Sequence, residues 1–410
     1  MTRAMKIVSS RWVFPITRPA IEDGSVVVAD RRIIDVGRRE EMLARYPAAS
    51  ETQYPGVLMP GLINAHIHLE LSHLRDVPEP LPQQTFTDWI AGLLARRAAN
   101  NLSREERFAA VNALLRDQYA SGIVLLADTG NERLNESESS GTERWPDIRR
   151  MLEFLGPDRQ GCEEARQTIA DLDDRIAVTG HAPYSTAPEL LQLIKERCRR
   201  LGQVFSIHTA ESSEELPFLQ SRTGIFRDFL EGRNRWDGTF SSSQGDSSGT
   251  IDYYDRFNLL DAGSLLVHCV HVSDHELQLI AKRGAHICLC PGSNRFLKVG
   301  KAPAVKMVEA GLLPALGTDS FASNTTIDLW REMQLLSSDH PALEPAQILA
   351  MATLGGARAL HADSDYGSLE SGRKAILLHV SSFALSQCRT APAILRELIN
   401  GGRPTEISWV

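Results

Sequence analysis

The sequence predicts an α/β protein: a parallel (β/α)8 barrel of the TIM type, with a small β-sandwich domain built from both termini. Three observations carry the prediction. Short apolar runs alternate with amphipathic helical stretches through the middle of the chain, and both ends read as short strands and turns. His66 and Asp319, each at the end of an apolar run, lie about 250 positions apart, the span typical of an eight-stranded barrel.

At the amino end, "GSVVVADRRIIDVG" places Val26 to Val28 and Ile33, Ile34 and Val36 on either side of an Asp30-Arg31 turn, the pattern of a hairpin rather than a βα unit. A similar signature returns where "GSLESG" leads into "KAILLHV", Lys374 to Val380. Chain termini commonly lie close together, so the expected organisation is residues 1–58 and 366–410 for the two parts of the β-domain and 59–365 for the barrel. Within the barrel, Ile123 to Ala127, Ile176 to Gly180, Val204 to His208, Leu265 to His268, His286 to Cys290 and Leu313 to Gly317 suit buried parallel strands. Helical punctuation follows such runs. Pro188 opens a helix with Leu190, Leu191, Ile194, Cys198 and Leu201 on one face and Gly202 as its stop. Ser273 and Glu276 form a capping box for a helix ending near Gly284. Two polar stretches, Asn131 to Arg144 and Ser241 to Thr250, interrupt the rhythm as long loops.

The 410 residues are 42% hydrophobic and 23% charged, which suits a globular protein with a sizeable core. A net charge of -8 without a basic cluster disfavours nucleic acid or an anionic membrane as a partner. No run of about 18 apolar residues suits a membrane span, and "MTRAMKIVSSRWVFPI" lacks the apolar segment of a secretory signal, so a cytoplasmic location is expected. The six cysteines show no CxxC spacing, and Cys288 and Cys290 suit packing as small hydrophobes. The partner these features point to is a small molecule, with a homodimer left open.

In "MPGLINAHIHLELS", Met59 to Ser72, strand alternation puts His66 and His68 on one face and Ile67 on the other. Two neighbouring imidazoles can grip one metal ion, but a catalytic site needs about three protein ligands and an open position. Other apolar runs end in similar chemistry. His181 closes "VTGHAPYS", His208 and Glu211 close "FSIHTAES", His268 and His271 close "LLVHCVH", Ser293 and Asn294 close "LCPGSN", and Asp319 closes "LGTDS". Barrel active sites form at the carboxyl ends of strands, and core packing rarely buries so many ionisable groups. His271 lies beyond its strand and suits a structural role.

An HxH on the first strand, a histidine followed three residues later by glutamate on the fifth, a histidine on the sixth and "LGTD" on the eighth together resemble the amidohydrolase superfamily, in particular its mononuclear deaminase and chlorohydrolase branch. The similarity covers almost the whole chain, since that branch also carries a β-domain split between both termini. No lysine stands where the binuclear branches carry a carboxylated one. The resemblance implies one divalent metal ion, Zn2+ or Fe2+, held by His66, His68, His208 and Asp319, and three neutral nitrogens with one carboxylate suit either ion. It further implies hydrolytic deamination at an aromatic amidine carbon such as C6 of adenine. Asp319 would take a proton from the attacking water, Glu211 would protonate the ring nitrogen and then the amine, and His268 would steady the water and the tetrahedral adduct.

Within the branch, "HIHLELS", together with "CPGSNRFLKVGKAPAVKMVEAGLLPALGTDSFASN" and the following "IDLWREM", resembles the aminodeoxyfutalosine deaminases of the futalosine route to menaquinone. Adenosine and S-adenosylhomocysteine deaminases more often read HTHxxM after the first strand. Two departures stand out: Gly292, where arginine is common in that subgroup, and Ala375, where an acid is usual. The substrate so implied is an adenine nucleoside with a benzoate-bearing ketone on its 5′ side. Its carboxylate calls for a cation, for which Arg295 is the first candidate, with Arg75 and Lys298 behind it. Glu70 and Ser72 are candidates for contact with the ribose or base, and His181, Ser293 and Asn294 complete the substrate-binding set. The alternatives are an S-adenosylhomocysteine, methylthioadenosine or adenosine deaminase, a guanine- or triazine-type amidohydrolase or chlorohydrolase, and a non-catalytic barrel serving as an assembly subunit. The complete ligand set argues against the last.

Overall fold

The computed structural model describes residues 5–132, 145–240 and 248–410. Most of the two long polar loops expected from the sequence lies outside the described residues.

The amino end forms β1 (Lys6–Val13), β2 (Ile21–Ala29), β3 (Arg32–Arg38) and β4 (Ser50–Pro60). The β2–β3 hairpin turns on Asp30 and Arg31, whose φ angles of 51° and 60° are those of the type I′ turn that matches strand twist. The chain then enters the barrel through β5 (Leu62–Ile67), β6 (Ile123–Gly130), β7 (Asp147–Phe154) and β8 (Ala177–Gly180). The second half of the barrel is β9 (Phe205–Thr209), β10 (Ser264–His268), β11 (His286–Leu289) and β12 (Ala315–Leu316). The carboxyl end adds β13 (Leu377–Ser381) and β14 (Glu406–Trp409). Because β13 pairs antiparallel with β4, both ends of the chain share one six-stranded sheet, in the order β14-β13-β4-β1-β2-β3.

Strands β5 to β8 and β9 to β12 form two parallel four-stranded sheets. Backbone hydrogen bonds join them at both seams. Between β8 and β9 the His208 N–H donates to the His181 carbonyl at 2.9 Å, and between β12 and β5 the N–H groups of Thr318 and Asp319 donate to the His66 carbonyl at 3.0 and 3.1 Å. The ring is closed by the same residues that carry the candidate chemistry. Gly317 permits the second seam, since a Cβ there would lie 2.8 Å from Cys288 Sγ and 2.9 Å from both Cβ and O of His66.

The helices expected from capping are present. Pro188–Leu201 ends at Gly202 with φ of 64°, and Asp274–Arg283 starts with the Ser273–Glu276 capping box and ends at Gly284 with φ of 71°. Cys288 and Cys290 are buried in an apolar cluster with Ile63, Ala65 and Val267. Strand β7 has no counterpart among the apolar runs read from the sequence. Its first half, Asp147 to Arg150, is exposed or half-buried, and only Met151, Glu153 and Phe154 are buried, so the segment lacks the continuous apolar signal. No helix among the described residues is long and apolar enough to cross a membrane.

Candidate active site

Alternation along β5 aims His66 and His68 into the carboxyl end of the barrel, with ring centroids 4.7 Å apart. His208, near the end of β9, lies 4.9 Å from His66 and 5.4 Å from His68. Asp319, just past β12, faces them with Oδ1 3.4 Å from His68 Nε2 and 3.8 Å from His66 Nε2. Ligand-type atoms of these four buried residues all lie within 4.8 Å of one another.

The set fits a divalent cation on three grounds. His66 is fully buried, yet neither ring nitrogen has a hydrogen-bond partner, a penalty that ligation removes. His208 Nδ1 donates to the His181 carbonyl at 2.8 Å, which fixes the tautomer that leaves Nε2 free to ligate. Burial, above all, keeps the imidazoles neutral: His68 is lowered to about 4, and His66 and His208 are lowered as well. For Asp319, burial alone would raise the pKa, but the surrounding histidines, His68 first, hold it well below the usual carboxylate range. Its Oδ2 accepts hydrogen bonds from Ser293 Oγ at 2.6 Å and Ser323 Oγ at 2.7 Å. Backbone strain collects here, with φ of 46° at Ala210, 74° at His268 and 57° at Asp319.

Glu211 and His268 occupy the adjoining side. His268 Nδ1 donates to Asn294 Oδ1 at 2.9 Å, leaving Nε2 free, 3.5 Å from Glu211 Oε1 and 4.0 Å from Asp319 Oδ2. Desolvation raises the Glu211 carboxyl to about 8, so at pH 7 it holds a proton. The loop carrying it is anchored by Glu215, whose carboxylate accepts the N–H groups of Ala210 at 2.8 Å and Glu211 at 2.7 Å.

A cavity of about 540 Å³ opens onto this cluster, lined at its closed end by His68, Glu70, Glu153, His181, Glu211 and Asp319. Four residues expected to meet substrate do not line it. Ser72 is buried elsewhere, with Oγ donating to the Leu69 carbonyl at 2.6 Å. Ser293 and Asn294 are hydrogen-bonded to Asp319 and His268 respectively. Arg295 points away: it pairs with Asp339 at 2.8 Å and lines a separate pocket with Lys298. These three sit in the helix Pro291–Leu297, where each residue is rotated about 100° from the last, so the arginine cannot share the face of its neighbours. The reserve candidates are also committed. Lys298 donates to the Pro80 carbonyl at 2.6 Å, and Arg75 lies over the Phe321 ring at 4.1 Å.

Glu70 and His181 do line the cavity. Glu70 Oε2 accepts the N–H groups of Asn131 at 2.9 Å and Glu132 at 2.8 Å, and His181 Nδ1 lies 2.7 Å from Ser185 Oγ. His271, outside the cavity, bonds through Nε2 to the Val299 carbonyl at 2.8 Å. Several further residues line the cavity. Glu153, near the end of β7, was hidden with its strand. The helix Phe86–Ala99 carried a usable signal, a Thr85–Asp88 capping box followed by Phe86, Trp89, Ile90, Leu93 and Leu94 at helical spacing. That spacing reads as a core face, whereas here it lines the cavity.

Three histidines and an aspartate gathered at the carboxyl end of a parallel barrel, beside a buried carboxylic acid, define a metal-binding hydrolase site. The family model described as the amidohydrolase family matches residues 57–400, and the chain belongs to that family. It is 29% identical over 402 residues to a 5-methylthioadenosine/S-adenosylhomocysteine deaminase of Moorella thermoacetica, an alignment covering 90% of this chain and 83% of the relative. Among solved structures, the aminofutalosine deaminase of Helicobacter pylori, in complex with methylthio-coformycin, superposes with a TM-score of 0.79 at 24% identity, covering 98% of each chain. An adenosine deaminase of Xanthomonas campestris with bound zinc gives 0.76 at 24% identity, covering 99% of this chain and 92% of the other.

Proposed function

We propose that the chain is a metal-dependent hydrolytic deaminase that converts the adenine of a 5′-modified adenine nucleoside to hypoxanthine with release of ammonia. The observation that carries this reading is Glu211, a buried carboxylic acid that lines the cavity 3.5 Å from His268 at the edge of the histidine–aspartate cluster. Replacing an amino group on an aromatic amidine requires a proton on the adjacent ring nitrogen as water adds, because otherwise negative charge builds up in the ring. An acid that keeps its proton at neutral pH supplies it.

When bound by His66, His68, His208 and Asp319, zinc or ferrous iron supplies a water whose pKa falls from 15.7 towards about 7. Asp319 takes a proton on its carboxylate while Ser293 and Ser323 hold Oδ2 in place. His268, oriented by Asn294, steadies the attacking water and the oxygen of the adduct through Nε2. Having protonated the ring, the Glu211 carboxylate takes up one of the water's two protons and passes it to the amine, so that neutral ammonia leaves, and the other water proton restores the acid.

Within this class we put aminodeoxyfutalosine first, converted to futalosine on the route to menaquinone. The "HIHLELS" motif and a cavity wall suited to an aryl group support it. Methylthioadenosine or S-adenosylhomocysteine is the second reading, favoured by the name of the Moorella thermoacetica relative. Glu70 and His181 are the proposed nucleoside contacts. The test is ultraviolet measurement of adenine-to-hypoxanthine conversion for adenosine, methylthioadenosine, S-adenosylhomocysteine and aminodeoxyfutalosine. The highest kcat/KM is expected for aminodeoxyfutalosine. Preference for a thioether nucleoside would replace the substrate and keep the chemistry, and turnover of none would overturn both.

A further inference from the structure

The cavity changes character along its length. Its closed end carries the carboxyl groups of Glu70, Glu153, Glu211 and Asp319, whereas its mouth is bordered by Leu155, 45% exposed, and by the exposed Arg233. An apolar wall lies between them. Phe86, Trp89, Ile90, Leu93 and Leu94 are all only half-buried and all line the cavity. Phe86 meets Phe226 at 6.0 Å, and Phe226 stacks on Tyr184 at 3.9 Å. An aromatic stripe left uncovered in this way marks a ligand surface.

Three arginines reach the cavity. Arg97 donates to Glu70 at 3.3 Å, and Arg235 pairs with Asp158 at 2.9 Å. Arg233, the residue that caps the helix Ile225–Gly232, lies over the Phe229 ring at 5.5 Å, and its guanidinium has no hydrogen-bond or ion-pair partner among the described residues.

We infer that Arg233 is a specificity-determining cation that receives a carboxylate at the end of an aryl-bearing substituent on the 5′ side of the nucleoside. The inference rests on the reading of the cavity as an adenine-nucleoside site. With the adenine at the closed end, a 5′ substituent runs along the aromatic wall towards the mouth. At the mouth, the Arg233 guanidinium, without an ion-pair partner among the described residues, attracts an anion. An aryl carboxylate meets both demands of the distal site, whereas a methylthio group meets only the first.

The experiment compares the metal-loaded full chain with two probes, adenosine bearing a 5′-thio-linked carboxyphenyl group and its neutral carboxamide. Binding is measured by isothermal titration, and ammonia release is followed in parallel. The wild type is expected to favour the carboxylate by roughly ten- to a hundredfold, the worth of one charge-assisted contact. Arg233→Ala removes most of that ratio, Arg233→Lys keeps part of it, and Arg295→Ala retains the wild-type ratio. Equal binding of the two probes by the wild type, or a ratio that survives Arg233→Ala, overturns the inference. The deaminase reading fails separately: a carboxylate preference without ammonia from either probe leaves the anion site and removes the chemistry, and ammonia from both probes without a preference does the reverse.

Discussion

Replacing Asn294 with alanine tests whether this residue acts on His268 or on the substrate. The Asn294 side chain accepts a 2.9 Å hydrogen bond from His268 Nδ1, and both residues are buried, with His268 fully so. Removing the acceptor strands an N–H where water cannot replace it, a cost of about 1 to 3 kcal/mol. If that cost falls on the productive ring orientation, kcat drops by roughly fivefold to 150-fold, since each 1.4 kcal/mol is tenfold. The assay is steady-state kinetics on the best-turned-over adenine nucleoside, with bound metal measured on the same preparation. Metal content and KM should hold while kcat falls, and Asn294→Asp, which keeps an acceptor in place, should recover most of the loss. A rise in KM at constant kcat would instead place Asn294 in contact with the substrate, as its position after β11 suggests.

Three further variants probe the rest of the site. Asp319→Ala should lose bound zinc or iron together with activity, and a full equivalent of tightly held metal in that variant would remove Asp319 from the ligand set. Glu211→Gln should keep its metal and its fold while activity falls by roughly 10² to 10⁴ or more, because one group serves two proton transfers; near-normal turnover would exclude it. Gly292→Ala should lower stability to chemical denaturation by about 1 to 3 kcal/mol, since its Cβ would lie 2.4 Å from Oε1 of the buried Glu332 and 2.5 Å from the Asn324 amide. Unchanged stability there would mean that the Glu332 side chain, which accepts the Gly292 N–H at 2.7 Å, has room to move.

The gathered histidines and Asp319 were legible because a strand leaves little freedom. Residues two apart share a face, and a polar group that ends an apolar run lies at the barrel's carboxyl end. Direction within a helical turn was not legible. Ser293, Asn294 and Arg295 are consecutive, yet one bonds Asp319, one bonds His268 and one bonds Asp339. The distal cavity was hidden for another reason. Its wall joins residues 86–94 to residues 226–230, and neither segment's apolar spacing tells a helix that packs on the core from one that faces a ligand. Strand β7, with a polar outer half, concealed Glu153.

In the proposed reaction this histidine–aspartate cluster, with Glu211, hydrolyses the amidine of adenine. The most direct measurement is deamination of a 5′-modified adenosine by the metal-loaded protein in oxygen-labelled water, with ammonia and the labelled hypoxanthine nucleoside quantified together. Equal amounts of the two are expected, with the label at C6, and both products should be lost when the metal is chelated. Ammonia from none of the adenine nucleosides tried, or a product without the label, would rule out this hydrolysis.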